Sequence, residues 1–410
     1  MNFKSINKYK EYNLNVFLIF SLIGIILRIW ISQFGSNFDF AMWQANLDIF
    51  KQGKSIHKEG MYGYGSPWIY TLYILDSISL PFIENNSFIQ SIPGTFYRFK
   101  IIIFLSLIDV SIFYLLYKNY SLKVGLIYLI NPISIIMTGH HNALNNYALL
   151  FGFLAVLSYG NLNEKNITFQ KVFAIFLIGL SISIKHILFF FPIWWAFKEK
   201  RLINKVLIIA IPYFVFTILV FGPFYPDDFH KQVDDLLHLG RHETGPFWKL
   251  FLSEIFHRQL NIFNFNINVS YFKLTCLLLV ILGFFMVNKN LKNSFYIYLL
   301  ATVAFAPQMY TQYLYIPLIA ISIYWNNKLA VYTLITSLLF LVDGDQLNIQ
   351  FFAELLNWDL RSTRIVFYPL ILILIIEFFE QSIGSKKFYS QINLVKKMII
   401  DKVKKSLIFK

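Results

Sequence analysis

The stretch at residues 14–34, LNVFLIFSLIGIILRIWISQF, decides the fold class, because it carries a single charged residue, Arg28. An α-helix needs about 20 consecutive apolar residues to cross the hydrocarbon core of a bilayer, so this stretch predicts a transmembrane helix. The whole chain has the same character: 57% of its 410 residues are hydrophobic and 14% are charged. Soluble proteins carry about 25% charged residues. The composition therefore excludes a soluble globular protein and predicts an integral membrane protein.

Similar apolar runs recur along the chain. They lie near residues 98–117, 124–138, 145–159, 203–224, 271–287, 294–306, 313–325, 330–342 and 364–381. The runs are continuous and do not alternate residue by residue, which favours helices over a β-barrel. Two regions stay open: residues 67–83 either span or lie flat, and residues 172–197 form either one long helix or two short ones broken near Lys185 and His186. The basic N-terminus has no small-residue cleavage site, so we expect the first helix to be retained.

The charges sort the loops onto two sides. With 67–83 flat on the outer surface and 172–197 split into a hairpin, the chain crosses about twelve times and both termini lie inside. The inside segments are then 1–13, 118–123, 160–171, 198–205, 288–293, 326–328 and 383–410. They hold 22 of the 36 Lys and Arg residues but 4 of the 22 Asp and Glu residues, as the positive-inside rule requires. The net charge of +14 is therefore a topology signal, and we expect no nucleic-acid partner.

These patterns predict an all-α, polytopic helical bundle in the cell membrane. One transmembrane domain covers residues 1–382 and has two long outer loops with helices of their own, 35–97 and 225–270. The tail at 383–410 mixes eight lysines with apolar residues, which predicts an amphipathic helix on anionic membrane lipid. Seven of the eight histidines lie in the outer loops or the turn at 139–145. Such a polar outer layer suits an enzyme that acts on a lipid-borne polar substrate. Cys276 is the only cysteine, which excludes disulfides and cysteine-based zinc clusters.

The first outer loop carries a family resemblance. Its sequence SNFDFAMWQANLDIFKQGKSIHKEGMYGYGSPWIY, at 36–70, resembles the corresponding loop of the GT-C glycosyltransferases, polytopic enzymes that use polyprenyl-phosphate sugars. In that superfamily an acidic residue just after the first helix is catalytic, and an aromatic-Pro motif follows the loop. The residues in these places are Asp39 and Tyr64 to Pro67, with Ser66 where a proline is usual.

Four later motifs follow in the order seen in a bacterial branch of the superfamily. NPISIIMTGHHNALNNYALLFG, at 131–152, resembles the Gly-His turn of the glucosyltransferases that use dolichyl-phosphate-glucose, with His141-Asn142 and Asn145-Asn146 in place of the expected Gln and Tyr. SIKHILFFFP, at 183–192, is similar to their Lys-containing short helix, and FGPFYPDDFHKQVDDLLHLGRHETGPFWKLF, at 221–251, to their Pro-rich outer loop. MYTQYLYIPL, at 309–318, resembles the late outer motif, with Tyr310-Thr311-Gln312 replacing the usual His-Glu-Arg.

The resemblance implies a GT-C-like fold and an inverting transfer of one sugar, such as mannose or glucose. The donor would be a polyprenyl-phosphate sugar, and the acceptor a lipid-linked glycan or another cell-envelope molecule on the extracytoplasmic face. The chemistry needs one carboxylate to take the acceptor hydroxyl proton and a cation or metal near the leaving phosphate. Asp39 lies between two phenylalanines, so desolvation is expected to raise its pKa toward the range of a base. The alternative is that Asp39 only caps the helix predicted at 40–50.

The remaining candidates divide by the group they would bind. For the donor phosphate they are Lys185, His186, Arg241, Arg361 and Arg364. For the acceptor or the sugar they are Tyr64, His140, His141, Asn145, Asp227 and Gln312. Lys185 could instead snorkel or pair with Asp109, and the arginines could anchor lipid headgroups. Asp227 could belong to a solvated helix face. Trp68 and Trp248 could stack on sugar rings or join the interfacial aromatic belt.

Metal dependence and function class also keep alternatives open. His140-His141 or the pair His238 and His242 could each bind a metal, and Mg²⁺ or Mn²⁺ could assist the reaction, but we assign no metal ligand. A polytopic flippase or transporter of lipid-linked saccharide, or a polymerase of envelope polysaccharide, is the alternative function. A transporter lines a path through the membrane midplane with polar residues. The few internal charges, Arg28, Asp76, Asp109 and Lys185, fall mostly near predicted helix ends, which favours an enzyme.

Overall fold

The computed structural model describes residues 13–60, 65–79, 92, 95–159, 168–224, 229–238, 245–252, 271–344, 346–385, 387–391 and 394. Throughout these ranges the regular structure is helical, which confirms the all-α prediction for this part of the chain. Most of the predicted tail and much of the outer loop 225–270 lie outside the described residues, so the amphipathic tail helix stays a prediction.

We number the α-helices in chain order. The N-terminal half contains α1 Leu14–Ile31, α2 Phe38–Lys51, α3 Ser66–Ser77, α4 Thr95–Asn119, α5 Leu122–Leu129, α6 Pro132–Gly139, α7 Asn145–Ser158, α8 Phe169–Ile184 and α9 Phe191–Lys198. The C-terminal half contains α10 Leu202–Phe221, α11 Phe229–His238, α12 Pro246–Leu252, α13 Tyr271–Phe285, α14 Leu291–Ala304, α15 Leu318–Tyr324, α16 Asn327–Val342, α17 Gln350–Leu355 and α18 Leu360–Ile383. Short 3-10 helices lie at Ser32–Phe34, His186–Leu188, Gly222–Phe224 and Thr311–Tyr315.

Several helices have the length and composition of membrane spans. In the described chain four segments are long and apolar enough to cross a membrane: Leu14–Phe34, Phe96–Asn119, Leu202–Phe221 and Ser362–Ile383. The number rises to six if each of two bent helix pairs counts as one span. Shorter apolar helices correspond to the predicted runs at 145–159, 271–287, 313–325 and 330–342. The chain is therefore built as a helical membrane protein with four to six candidate spans, and the twelve crossings remain a prediction.

Both bends occur where the backbone leaves the helical conformation. Helices α5 and α6 meet at 47°. Pro132 begins α6, and proline disfavours helical backbone in the residue before it, so Asn131 is extended and ends the preceding helix. Helix α8 and the segment His186–Lys198 meet at 120°, because Lys185 is also extended, with φ −152° and ψ 134°. The break predicted near Lys185 and His186 is present, and one straight helix over 172–197 is excluded.

Helix α3 occupies the region whose path was left open. It has 12 residues, fewer than the about 20 that a crossing needs. Trp68 on α3 is fully buried and packs edge-on against Trp43 of α2, with ring centroids 5.0 Å apart. Gly65, just before α3, lies so close to the end of α8 that a Cβ atom there would be 1.7 Å from the Ser183 carbonyl oxygen. A short helix thus docks on the bundle beside Lys185.

A fully buried ion pair lies in the interior of the bundle. Arg28 of α1 donates through Nε to Asp109 of α4 at 2.9 Å, and neither side chain is exposed. The Asp109 carboxylate also accepts hydrogen bonds from Thr138 at 2.6 Å, Tyr128 at 2.7 Å, Tyr315 at 2.9 Å and Asn146 at 3.1 Å. Buried charges are stable only when they are paired and hydrogen-bonded, and Asp109 meets both conditions. Its partner is Arg28, so the alternative pairing of Asp109 with Lys185 is wrong. Asp109 lies well inside the 25-residue α4, whereas Arg28, Asp76 and Lys185 lie near helix ends, in keeping with the expectation that the internal charges fall mostly near such ends.

The basic loops meet at one end of the bundle. Lys198 donates to the Lys289 carbonyl at 2.9 Å, and Lys289 donates to the Gln381 carbonyl at 2.9 Å. Lys328 pairs with Glu380 and lies 3.6 Å from Glu377. These contacts join the loops 198–205, 288–293 and 326–328 to the end of α18. Three of the segments that charge sorting assigns to the inner side thus share one end with the C-terminal part of α18, although which side of the membrane that end faces stays a prediction.

Candidate functional site

The opposite end of the bundle gathers residues that are far apart in sequence. Asp39 lies on α2, and His141 lies in the turn after α6. Lys185 occupies the break after α8, and Gln312 lies in the 3-10 helix before α15. Hydrogen bonds and electrostatic interactions connect these four predicted residues directly or through one another. The site is therefore assembled by tertiary packing.

The Gly-His turn is fixed by close packing and by a buried arginine. A Cβ atom on Gly139 would lie 2.4 Å from the Arg28 carbonyl oxygen, so only glycine lets α6 approach α1 this closely. Arg98 of α4 is fully buried, and its guanidinium donates to the carbonyls of Ser32, Gly139 and His140 at 2.9–3.2 Å. A cation at a helix C-terminus satisfies carbonyls that lack helical partners. Arg98 thereby orients the turn that presents His141.

Asp39 does not cap its helix. The N-cap of α2 is Asn37, whose side chain accepts a hydrogen bond from the backbone N–H of Phe40. The capping interpretation of Asp39 is therefore wrong. Its carboxylate oxygen Oδ2 instead lies 3.0 Å from Nε2 of His141, across a sequence separation of 102 residues. The Asp39 side chain keeps 17% of its surface exposed, so it is not sealed inside the bundle.

His141 is held on its other side by a residue that the sequence analysis did not select. Gln346, in the loop after α16, places its amide nitrogen 2.9 Å from Nδ1 of His141 and 2.9 Å from Oγ1 of Thr311. Both His141 and Gln346 are almost fully buried. The result is a continuous hydrogen-bonded chain from Thr311 through Gln346 and His141 to Asp39.

Lys185 supplies the positive charge of the site. Its ammonium donates to Oε1 of Gln312 at 2.9 Å and interacts electrostatically with Asp39. Asn145 is fully buried and donates to the backbone carbonyl of Gln312 at 2.9 Å, so it supports the backbone from which Gln312 reaches Lys185. A carboxylate and an ammonium therefore share the same end of the bundle and lie close enough for their charges to interact.

The pKa of Asp39 differs from the expectation. Burial raises the pKa of its carboxyl, but the hydrogen bond from His141 and the charge of Lys185 together lower the pKa by more than burial raises it. The net pKa lies below its ordinary value of 3.8. The expected rise was wrong because the two partners contributed from elsewhere in the chain outweigh desolvation. Asp39 is thus a carboxylate throughout the physiological pH range, which is the form that accepts a proton.

The ring of His140 is not part of the hydrogen-bonded chain that links Thr311, Gln346, His141 and Asp39. Burial, together with the charge of Arg98, lowers the pKa of His140 to about 3, so its ring is neutral. Its Nδ1 is buried and has no hydrogen-bond partner among the described residues. A Cβ atom on Gly35, which has a φ of +122°, would lie 3.4 Å from Nε2 of His140. The ring therefore packs against the segment that leads into α2.

The remaining predicted residues have other surroundings. His186 packs edge-on against Phe216 with ring centroids 5.4 Å apart, and its Nε2 is buried without a hydrogen-bond partner in the described chain. Arg364 is exposed near the start of α18. Tyr64, Asp227, Arg241 and His242 lie outside the described residues, as does the side chain of Arg361.

Two tryptophans proposed for sugar stacking belong to the interior. Trp68 is fully buried, and Trp248 is 6% exposed and donates to the Phe305 carbonyl at 3.1 Å. Neither of the two interpretations offered for them, sugar stacking or an interfacial belt, fits this burial. Both tryptophans instead fill gaps between helices.

Arg98 and Gln346 are the two residues of the site that sequence reasoning missed. Arg98 could have been found, because an arginine within an apolar helix nearly always has a buried partner. Gln346 carries no comparable signal in its own segment.

The histidines of the site do not form part of a metal-ligand cluster. In the described part of the chain, no three His, Cys, Asp or Glu side chains are grouped to hold an ion. Comparison with known proteins found no matching family model and no matching curated protein.

Proposed function

We propose that the protein is a GT-C-type membrane glycosyltransferase that transfers a sugar from a polyprenyl-phosphate donor to a lipid-linked glycan or another cell-envelope acceptor. The observation that carries the proposal is the pairing of Asp39 with His141 beside Lys185. It gives one oriented carboxylate and one cation at the same end of a helical membrane bundle.

The carboxylate suits the role of general base. An inverting transfer requires a group that takes the proton of the acceptor hydroxyl while the sugar leaves its phosphate. Asp39 is ionised, and its Oδ2 is occupied by His141 at 3.0 Å. Oδ1 is then available to the acceptor. A carboxylate held by a second side chain loses little orientational freedom when substrate binds, which favours the near-attack geometry.

The cation suits the leaving group. Phosphate gains negative charge as the bond to the sugar breaks, and a fixed ammonium stabilises that charge without reorganisation. Lys185 is held by Gln312 at 2.9 Å, so its position does not depend on a lipid headgroup. This arrangement needs no metal, although Mg²⁺ or Mn²⁺ bound with the donor phosphate would act in the same place.

The position of the site relative to the basic loops supports an extracytoplasmic reaction at the membrane surface. The site lies at the end of the bundle opposite the basic loops, and the positive-inside rule assigns basic loops to the cytoplasm. We therefore assign the site to the extracytoplasmic face of a multi-pass cell-membrane protein with about twelve crossings. Both oxygens of the Asp109 carboxylate are already engaged by Arg28 and by four hydrogen-bond donors, which argues against a substrate path through the midplane at this position.

Sugar transfer by the purified protein tests the proposal. Lipid from a deletion strain should contain a truncated glycan, and the reconstituted wild-type protein should extend it with labelled polyprenyl-phosphate-glucose or polyprenyl-phosphate-mannose but not with a nucleotide sugar. Parallel reactions with EDTA, Mg²⁺ or Mn²⁺ decide metal dependence. Absence of transfer from every polyprenyl-phosphate sugar, combined with movement of the intact glycolipid across the vesicle membrane, would instead identify a flippase.

A further inference from the structure

We infer that Gln346 is a positioning residue whose side-chain amide fixes the tautomer of His141, so that the single ring N–H, at Nε2, points at Asp39. The inference deepens the proposed function and rests on it, since it concerns the group that holds the proposed base. Its support is hydrogen-bond geometry and the donor and acceptor capacity of each group.

The amide nitrogen of Gln346 can only donate hydrogen bonds. It lies 2.9 Å from Nδ1 of His141, so Nδ1 must accept and cannot carry a proton. A neutral imidazole has one N–H, which is then at Nε2. Nε2 lies 3.0 Å from Oδ2 of Asp39, which can only accept as a carboxylate. The Gln346 amide therefore donates to Nδ1 of His141, and Nε2 of His141 donates to Asp39.

Gln346 is itself held in place. Its backbone N–H donates to the Asp343 carbonyl at 3.0 Å, and the next residue, Leu347, donates to the Phe340 carbonyl at 3.1 Å. The second amide hydrogen goes to Oγ1 of Thr311 at 2.9 Å. The loop after α16 therefore presents the amide from a fixed backbone, and Thr311 gives the amide a second anchor.

The opposite orientation of the amide would have a chemical consequence. An oxygen facing Nδ1 would require a proton there, and His141 would then either become an imidazolium or turn a bare Nε2 lone pair toward the Asp39 carboxylate. An imidazolium would form an ion pair and weaken Asp39 as a base, and the bare lone pair would repel it. The amide nitrogen avoids both outcomes, so Asp39 is oriented by the N–H of a neutral ring.

Two substitutions separate this role from simple packing. Gln346→Glu keeps the volume but reverses the polarity of the contact, because a carboxylate can only accept from Nδ1. Gln346→Met keeps a similar shape and removes the contact. We expect both to lower kcat by about 10- to 100-fold with less than about threefold change in KM, the size of effect seen when a group supporting an active-site histidine is lost. Gln232→Met is the matched control, because Gln232 is also buried and donates to a backbone carbonyl, that of Val220, at 2.8 Å.

The decisive readout is the protonation of the His141 ring, measured by ¹⁵N NMR of the full-length protein labelled on histidine in lipid nanodiscs. A spectrum of His141→Gln identifies the signals. Wild type and Gln232→Met should show the proton on Nε2 alone, Gln346→Glu should place a proton on Nδ1, and Gln346→Met should give a mixture of tautomers. A wild-type ring protonated on Nδ1, or an unchanged ring in Gln346→Glu, would overturn the inference.

The NMR measurement does not depend on sugar chemistry. If the tautomers respond as expected but no sugar is transferred by wild type, the inference about Gln346 stands and the proposed function fails. If transfer occurs and Gln346→Met retains wild-type kcat, the function stands and the positioning role is rejected. Should Gln346→Met fail to fold, the wild-type spectrum together with Gln346→Glu still decides the question.

Discussion

Asp39→Asn is the substitution that most directly tests the proposed mechanism. It replaces one carboxylate oxygen by an amide nitrogen and removes the negative charge, while the side chain keeps its length. General-base assistance contributes about 10²- to 10⁴-fold to a rate, or roughly 3–5 kcal/mol of activation free energy at about 1.36 kcal/mol per factor of ten. We expect a fall in kcat of that order.

The effect on folding should be much smaller. Asn37, and not Asp39, caps α2, so the helix start is untouched. In the Asp39→Asn variant the amide oxygen of the new side chain can still accept the hydrogen bond from His141. A hydrogen bond to a charged group contributes about 1.5–3 kcal/mol and a neutral one about 0.5–1.5 kcal/mol, so roughly 1 kcal/mol is lost. Loss of the charge also removes the desolvation cost that burial imposes on the carboxylate.

The assay is transfer from a synthetic polyprenyl-phosphate sugar by purified protein, with thermal unfolding measured on the same samples. Asp48→Asn is the matched control, because Asp48 lies on the same helix with an exposed side chain. Because it removes a carboxylate that lies outside the proposed site, it should leave kcat close to that of wild type. Transfer by Asp39→Asn at a rate comparable with wild type, at unchanged thermal stability, would remove Asp39 from the chemistry and refute the general-base assignment.

Three further predictions use other parts of the molecule. Lys185→Met should raise the KM for the donor roughly ten- to hundredfold, which corresponds to the loss of a charge-assisted contact of about 1.5–3 kcal/mol. Lys185→Arg should restore part of the donor affinity. Equal kinetics in wild type and both variants would mean that Lys185 has only a structural role. In a protein without Cys276, a cysteine at the exposed Ala45 should react with an impermeant thiol reagent in intact cells and one at the exposed Lys123 should not, whereas the reverse pattern would invert the assigned orientation. Folding lowers the pKa of His140 from 6.5 to about 3, so between these pH values the unfolded chain binds a proton at this residue and the folded protein does not. The unfolding temperature should therefore fall as pH drops from 6.5 toward 3. His140→Gln should flatten that fall, and parallel curves for the two proteins would contradict it.

The helices could be predicted from the sequence wherever a long apolar run was enough to identify them. The stretch at 14–34 and the run at 203–224 appear as helices close to their predicted bounds, because a long apolar segment in a bilayer has to satisfy its backbone hydrogen bonds internally. The break at Lys185 was also visible, since a charged residue interrupts an apolar run there. The packing of α3 was not, because 12 residues of mixed polarity fit both a surface helix and part of a span.

The ionisation of Asp39 illustrates a limit of local reasoning. Two neighbouring phenylalanines suggested desolvation, and burial does raise the pKa of the carboxyl. The larger combined effect comes from His141 and Lys185, which lie 102 and 146 positions away along the chain. A sequence gives the residue types that can pair, but the pKa depends on which of them the helices bring within a few ångströms.

Gln346 shows the same limit for hydrogen-bond direction. The orientation of the proposed base, Asp39, depends on tertiary contacts that the sequence around Asp39 does not contain. In its own segment, LVDGDQLN at 341–348, the two aspartates are the more conspicuous polar residues. Gln346 reaches His141 across a sequence separation of 205 residues, because α16 packs beside α6 and the loop after α16 folds back on Phe340. An amide that donates, and not merely a polar residue, is required there to leave the His141 proton facing Asp39. In the proposed mechanism, the orientation of Asp39 therefore depends on the conformation of a loop that precedes the last membrane helix, and substitutions that shift this loop should lower kcat even when the residues proposed to contact substrate are intact.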